Sequence, residues 1–121
     1  MVKADATTFR EVGKMVIKAK NGKEINRINE LEFIDGLIWA NLFQGNVIVA
    51  IDPVSGVIQE GLDLKPLYDA EMRYVSDLMN GNTRNYDFGN NVLNGIAYDP
   101  ATKDWYVTGK RWNLLFKLQK H

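Results

Sequence analysis

Ile28-Asn29-Glu30-Leu31-Glu32-Phe33 and Leu93-Asn94-Gly95-Ile96-Ala97-Tyr98 follow one template, position by position: apolar, Asn, small or acidic, apolar, variable, aromatic. Each run ends in a turn, Ile34-Asp35-Gly36 in the first and Asp99-Pro100-Ala101-Thr102-Lys103-Asp104 in the second. Each turn leads into a second β-rich run, Ile38 to Phe43 or Trp105 to Lys110. Third runs follow at Val47 to Asp52 and Leu114 to Gln119, and a fourth, Val57 to Leu62, closes the first unit only. A meander of about four short strands, repeated along a chain, is the unit of a β-propeller, whose blades of about 40–45 residues pack face to face around a channel. The repeat therefore predicts an all-β chain made of propeller-type units.

Turn dipeptides such as Asn21-Gly22, Asp35-Gly36, Gly45-Asn46, Ser55-Gly56 and Asp99-Pro100 separate the β-rich runs, as hairpins require. Upstream of the first unit, residues 1–20 supply two more strands, one of them at Met15-Val16-Ile17-Lys18. Between the units, Leu67, Glu71, Tyr74, Val75, Leu78 and Met79 follow a helical period, with Pro66 placed to open the helix and Asn80-Gly81-Asn82 to end it. Thr83 to Asn91 is polar and Asn-rich, and reads as a loop. The expected partition is residues 1–20 as the end of one blade, 28–64 as a complete blade, 65–92 as a helix and loop insertion, and 93–121 as an incomplete last blade. That amounts to about two to two and a half four-stranded blades, whereas typical rings have roughly 4–8. Unpaired strand edges seek partners, so the expectation is a homo-oligomer or a complementing chain rather than a stable monomer.

Composition narrows the chemistry. Lys plus Arg and Asp plus Glu stand at 15 each, so no global field draws in nucleic acid or an anionic membrane, and neither is expected as a partner. Apolar residues make up 45% of the 121, enough for a core. The absence of cysteine removes thiolate nucleophiles and cysteine-based zinc sites, and the sole histidine, His121, cannot build a triad or a multi-histidine metal centre. No metal and no cofactor are expected. Met1-Val2-Lys3-Ala4-Asp5 has no apolar core after its charge and does not read as a signal peptide, and no apolar run approaches the ~18 residues of a membrane span. The chain as given reads as soluble, with its compartment undetermined.

Four motifs in order carry a resemblance: Asn29-Glu30-Leu31-Glu32 with Trp39-Ala40-Asn41, then Ile51-Asp52-Pro53-Val54-Ser55-Gly56, then Leu93-Asn94-Gly95-Ile96-Ala97-Tyr98-Asp99, then Thr108-Gly109-Lys110-Arg111-Trp112. From about Asp5 to Leu118 the sequence resembles the plant and bacterial type of glutaminyl-peptide cyclotransferase, most weakly in the helical insertion. The resemblance implies a segment of a five-bladed propeller that cyclises an N-terminal glutamine to pyroglutamate and releases ammonia, acting on peptides or proteins that begin with Gln. Members are usually exported.

It also implies residue roles. Asn29 faces the channel and hydrogen-bonds substrate, Lys110 is a cationic donor in the pocket, and Phe43 lines the pocket where the family usually has Trp, a change that removes an indole donor. The repeat places Asn29 on Asn94 and Phe43 on Lys110, at equivalent points of successive units, so Asn94 joins the candidate substrate-binding set together with Trp112. Each has a plainer structural reading: Asn29 and Asn94 as turn-fixing amides, Phe43 and Trp39 as packing aromatics, Lys110 as a solvated loop charge, Trp112 as rim, wall or core. The period of two puts Asn29, Leu31 and Phe33 on one face and Glu30 and Glu32 on the other. The family's proton shuttle is a glutamate in an earlier blade with no counterpart here, and Glu30, Glu32 and Glu60 do not replace it by position. The alternative reading is a non-catalytic propeller piece that serves assembly or binding.

Overall fold

The computed structural model describes residues 1–8, 10–43 and 45–119; the sole histidine, His121, lies outside the described residues. Strands β1 (Val2–Ala4) and β2 (Glu11–Lys14) form a two-stranded antiparallel sheet. Strands β3 (Ile28–Ile34), β4 (Leu37–Leu42), β5 (Val47–Ile51) and β6 (Ile58–Asp63) form a four-stranded antiparallel meander in chain order. After helix α1 (Lys65–Leu78), strands β7 (Leu93–Asp99), β8 (Asp104–Gly109) and β9 (Phe116–Leu118) form a three-stranded meander. The regular structure of the described residues is thus mostly antiparallel sheet, with one helix.

Two apolar layers hold the sheets together. One face of the four-stranded sheet offers Ile34, Trp39, Ile48 and Ala50 to Leu93, Ile96, Trp105 and Val107 of the three-stranded sheet, with the Trp39 and Trp105 rings edge to face at 4.8 Å. The other face offers Ala40, Val49 and Ile51 to Met15 and Ile17 of the N-terminal segment. Alternation along β4 and β5 sends successive residues into different layers, which is why Val47–Ile51 is an unbroken apolar run.

Met15 to Lys18, expected as a strand, makes only isolated bridges: Lys18 pairs with Glu24 and with Val57. This segment links two sheets instead of joining one: Met15 donates to the Met1 carbonyl (2.8 Å) beside β1, while Lys18 donates to the Gly56 carbonyl (3.0 Å) and its own carbonyl accepts from Ile58 (2.8 Å) of β6. The turn it meets is built by Asp52, whose Oδ1 accepts from the Val54 and Ser55 amides at 2.7 and 2.9 Å, contacts that hold its carboxyl below the usual range. Gly56 closes the turn with φ of +75°, and a Cβ there would sit 2.5 Å from the Val16 carbonyl oxygen. Gly56→Ala is expected to cost about 1–3 kcal/mol through left-handed strain, and more through the clash. Urea unfolding with an unchanged midpoint would show that the turn tolerates a side chain.

Helix α1 begins as the sequence indicates, with Pro66 in its first turn and the Lys65 amide donating to Asp63 Oδ1 at 2.9 Å. It ends where Asn80 and Gly81 take left-handed conformations and the Gly81 amide reaches back to the Ser76 carbonyl at 2.8 Å.

Candidate functional site

The repeat seen in the sequence is also present in the backbone. In β3 the register steps from Asn29 opposite Asn41 to Leu31 opposite Ala40, leaving Glu30 as an extra residue with φ of +40°. In β7 it steps from Leu93 opposite Gly109 to Ile96 opposite Val107, with Gly95 at φ of +138°. Both strands thus carry a bulge immediately after their asparagine, and a bulge re-aims the side chains on either side of it.

This corrects one expectation. Asn29 does not share a face with Leu31 and Phe33: the extra residue Glu30 shifts the alternation, so Asn29 lies with Asn41 and Trp39 on the face toward the three-stranded sheet. Glu32, paired with Trp39, falls on that same side. The Asn29 side chain fixes the bulge from within, Oδ1 accepting from the Glu30 amide at 3.1 Å.

Phe43 and Lys110 occupy matching points. The Phe43 amide donates to the Arg27 carbonyl at 2.7 Å and the Lys110 amide to the Val92 carbonyl at 2.8 Å, in each case two residues before the asparagine. Strand β3 lies against β7. The two ends coincide because Asn41 Oδ1, in register with Asn29, accepts from the Gly95 amide at 3.2 Å. Asn29, Phe43, Asn94 and Lys110 are therefore gathered at one end of the paired sheets. Asn29 and Phe43 are half-buried and Lys110 is exposed. A hollow of about 460 Å³ beside this end is lined by Met1, Val2, Ile17 and the Ile28–Leu31 bulge segment.

Trp112 resolves into a packing role with its polar atom already engaged. Its ring lies over Gly109, where any Cβ would collide with the indole, and beside Tyr68 and Phe116 at 6.3 and 6.1 Å. Its Nε1 donates to the Asn91 carbonyl at 3.1 Å. Only its ring remains for a ligand. Two residues that sequence reading did not single out complete the arrangement. Asn41 is fully buried between the sheets, and Glu71 of α1, also fully buried, accepts from the Asn113 amide (2.6 Å), Asn113 Nδ2 (3.1 Å) and the Leu114 amide (3.2 Å). Glu71 thereby holds the segment that follows Lys110. Its signal was present: a carboxylate on the apolar stripe of the helix, between Leu67 and Val75.

The family model for glutamine cyclotransferase matches residues 1–119. The chain belongs to the glutamine cyclotransferase family. A glutaminyl-peptide cyclotransferase of Arabidopsis thaliana is 31% identical over 119 residues, which is 98% of this chain and 33% of that protein. The crystal structure of Myxococcus xanthus glutaminyl cyclase superposes with a TM-score of 0.80 at 29% identity, covering 96% of this chain and 45% of the cyclase. The chain therefore spans a third of its plant relative's length and under half of the bacterial one.

Proposed function

We propose that this chain is a propeller segment of a glutaminyl-peptide cyclotransferase, cyclising N-terminal Gln to pyroglutamate when further polypeptide completes the ring. The observation that carries the reading is the pair of matching bulges, which brings Asn29 and Asn94 to the same end as Phe43 and Lys110. In the reaction the substrate's α-amine attacks its own side-chain carboxamide carbon. A C–N bond forms, the bond to the amide nitrogen breaks, and the amine's proton leaves with ammonia. Asn29 holds the carboxamide against the amine, and Lys110 donates to the oxygen that gains charge. Phe43, Asn94 and the ring of Trp112 wall the substrate. The proton relay is a carboxylate outside these residues.

The repeat also supports where the completing polypeptide packs. Ile96 and Tyr98 of β7 pack into the layer shared with the neighbouring sheet, and their counterparts by the repeat are Leu31 and Phe33 of β3. Those two are 50% and 64% exposed on the side toward the two-stranded sheet. We assign this face to a further sheet, from a second copy or a complementing chain. The same exposed pair favours the second reading, a non-catalytic assembly module, because such a face binds whether or not chemistry follows. Incubating the protein in its completed assembly with a Gln-initiated peptide and assaying ammonia separates the two: release supports the cyclase, while an assembly that forms without release supports the module.

Lys110→Met is expected to reduce kcat/KM by about 100- to 1,000-fold, the usual cost of one lost oxyanion donor. Its melting temperature should hardly move, since Lys110 is exposed. Wild-type kinetics with a lowered melting temperature would make Lys110 structural.

A further inference from the structure

We infer that Asn41 is a positioning residue, a buried amide that pins the two asparagine-bearing bulges to each other. This rests on the function proposed above.

Asn41 lies in β4, fully buried, flanked by Ala40 and Trp39 in the apolar layers. A polar side chain in such a place costs stability unless its groups are used. One is used across the sheets: Oδ1 accepts from the Gly95 amide at 3.2 Å, although 54 residues separate them along the chain. Gly95 is the left-handed residue of the β7 bulge, directly after Asn94, and Asn41 is the register partner of Asn29 beside the β3 bulge. A single side chain therefore touches the backbone that aims Asn94 and shares a rung with Asn29. The register shift in β7 leaves the Gly95 amide outside the paired rungs of β7 and β8, and Asn41 supplies its acceptor.

The rest of the amide points to the same role. Asn41 Nδ2 and Asn94 Oδ1 are both buried and have no hydrogen-bond partner among the described residues. The described hydrogen bond of the Asn41 side chain is thus the one that crosses to the Gly95 backbone, and a buried amide used in this way fixes the two strands against each other. The second sheet provides the control. The position matching Asn41 is Thr108, whose hydroxyl donates within its own unit, to the Leu114 carbonyl just before β9 at 2.9 Å. Among the described residues the matching threonine side chain makes no bond to a neighbouring sheet, and the cross-sheet reach belongs to asparagine.

Asn41→Thr tests the inference, with Asn41→Asp as the conservative variant that retains an oxygen toward Gly95. Two measurements are made on each: hydrogen exchange at the Gly95 amide, and, in the assembly completed by further polypeptide, kcat and KM for a Gln-initiated peptide. Asn41→Thr should speed Gly95 exchange at least tenfold and lower kcat by about 10- to 100-fold with KM little changed, the penalty for misplacing groups by about 1 Å. Asn41→Asp should recover Gly95 protection and part of kcat. Unchanged Gly95 exchange in Asn41→Thr overturns the pin. Faster exchange with wild-type kcat overturns the positioning role and leaves a structural hydrogen bond. A completed wild-type assembly that releases no ammonia overturns the proposed function and the role of Asn41 toward it, while Gly95 exchange still reports on the pin.

Discussion

Asn29→Ala should abolish pyroglutamate formation by the completed assembly while costing only about 1 kcal/mol of stability, the usual size of one lost hydrogen bond. The stability figure follows from the structure: the side chain is half-buried, and the contact it loses is the 3.1 Å bond from the neighbouring Glu30 amide. The activity figure follows from position. Asn29 sits on the bulge at the end of the sheets that also carries Asn94, Phe43 and Lys110, so an alanine there leaves the scaffold standing and removes the group assigned to hold the carboxamide. Turnover and urea unfolding measured on the same preparation check both halves. Unchanged turnover in a well-folded variant would remove Asn29 from the site, and a loss of several kcal/mol would mean that the bulge is a folding element first.

Trp39→Ala should produce the largest loss of stability, about 3–5 kcal/mol, by emptying the layer between the two larger sheets. Trp39 is buried and meets Trp105 edge to face at 4.8 Å, and Trp105 in turn meets Tyr98 at 5.9 Å. Deleting the indole therefore exposes one side of a three-ring contact as well as leaving a cavity. Domains of this size have only about 5–15 kcal/mol in hand, so the variant should unfold well below the wild-type temperature. Trp39→Phe should recover part of the loss. If Trp39→Ala melted with the wild type, the two sheets would not share the layer described.

The strand arrangement was legible because turn dipeptides and β-branched runs act locally, and the repeat multiplied that signal. The bulges were not. Gly95 announces a left-handed residue, but its counterpart Glu30 carries no such mark, so a strict period of two placed Asn29 on the wrong face. Only the backbone reveals that one extra residue turns Asn29 toward Asn41. Met15 to Lys18 misled for a related reason: an apolar run states that a segment is buried, while its partners, Gly56 and Ile58, lie some forty residues away. The candidate site was legible as a set of positions, through the matching of Asn29 with Asn94 and Phe43 with Lys110. What tied them together was hidden, since Asn41 and Glu71 act through contacts 54 and 42 residues along the chain. Trp112 shows the converse: the sequence leaves it as rim, wall or core, and the fold packs its ring over Gly109 with its indole N–H engaged by Asn91.

The central claim is that these residues form the peptide-cyclising end of a ring completed by further polypeptide. Its most direct test is mass spectrometry of a Gln-initiated peptide incubated with the protein in its completed assembly, with ammonia assayed in parallel and Asn29→Ala alongside. The account predicts one ammonia released per pyroglutamate formed by the wild-type assembly and an intact peptide with the variant. A peptide left intact by a folded, completed wild-type assembly, or cyclised equally well by Asn29→Ala, would contradict it.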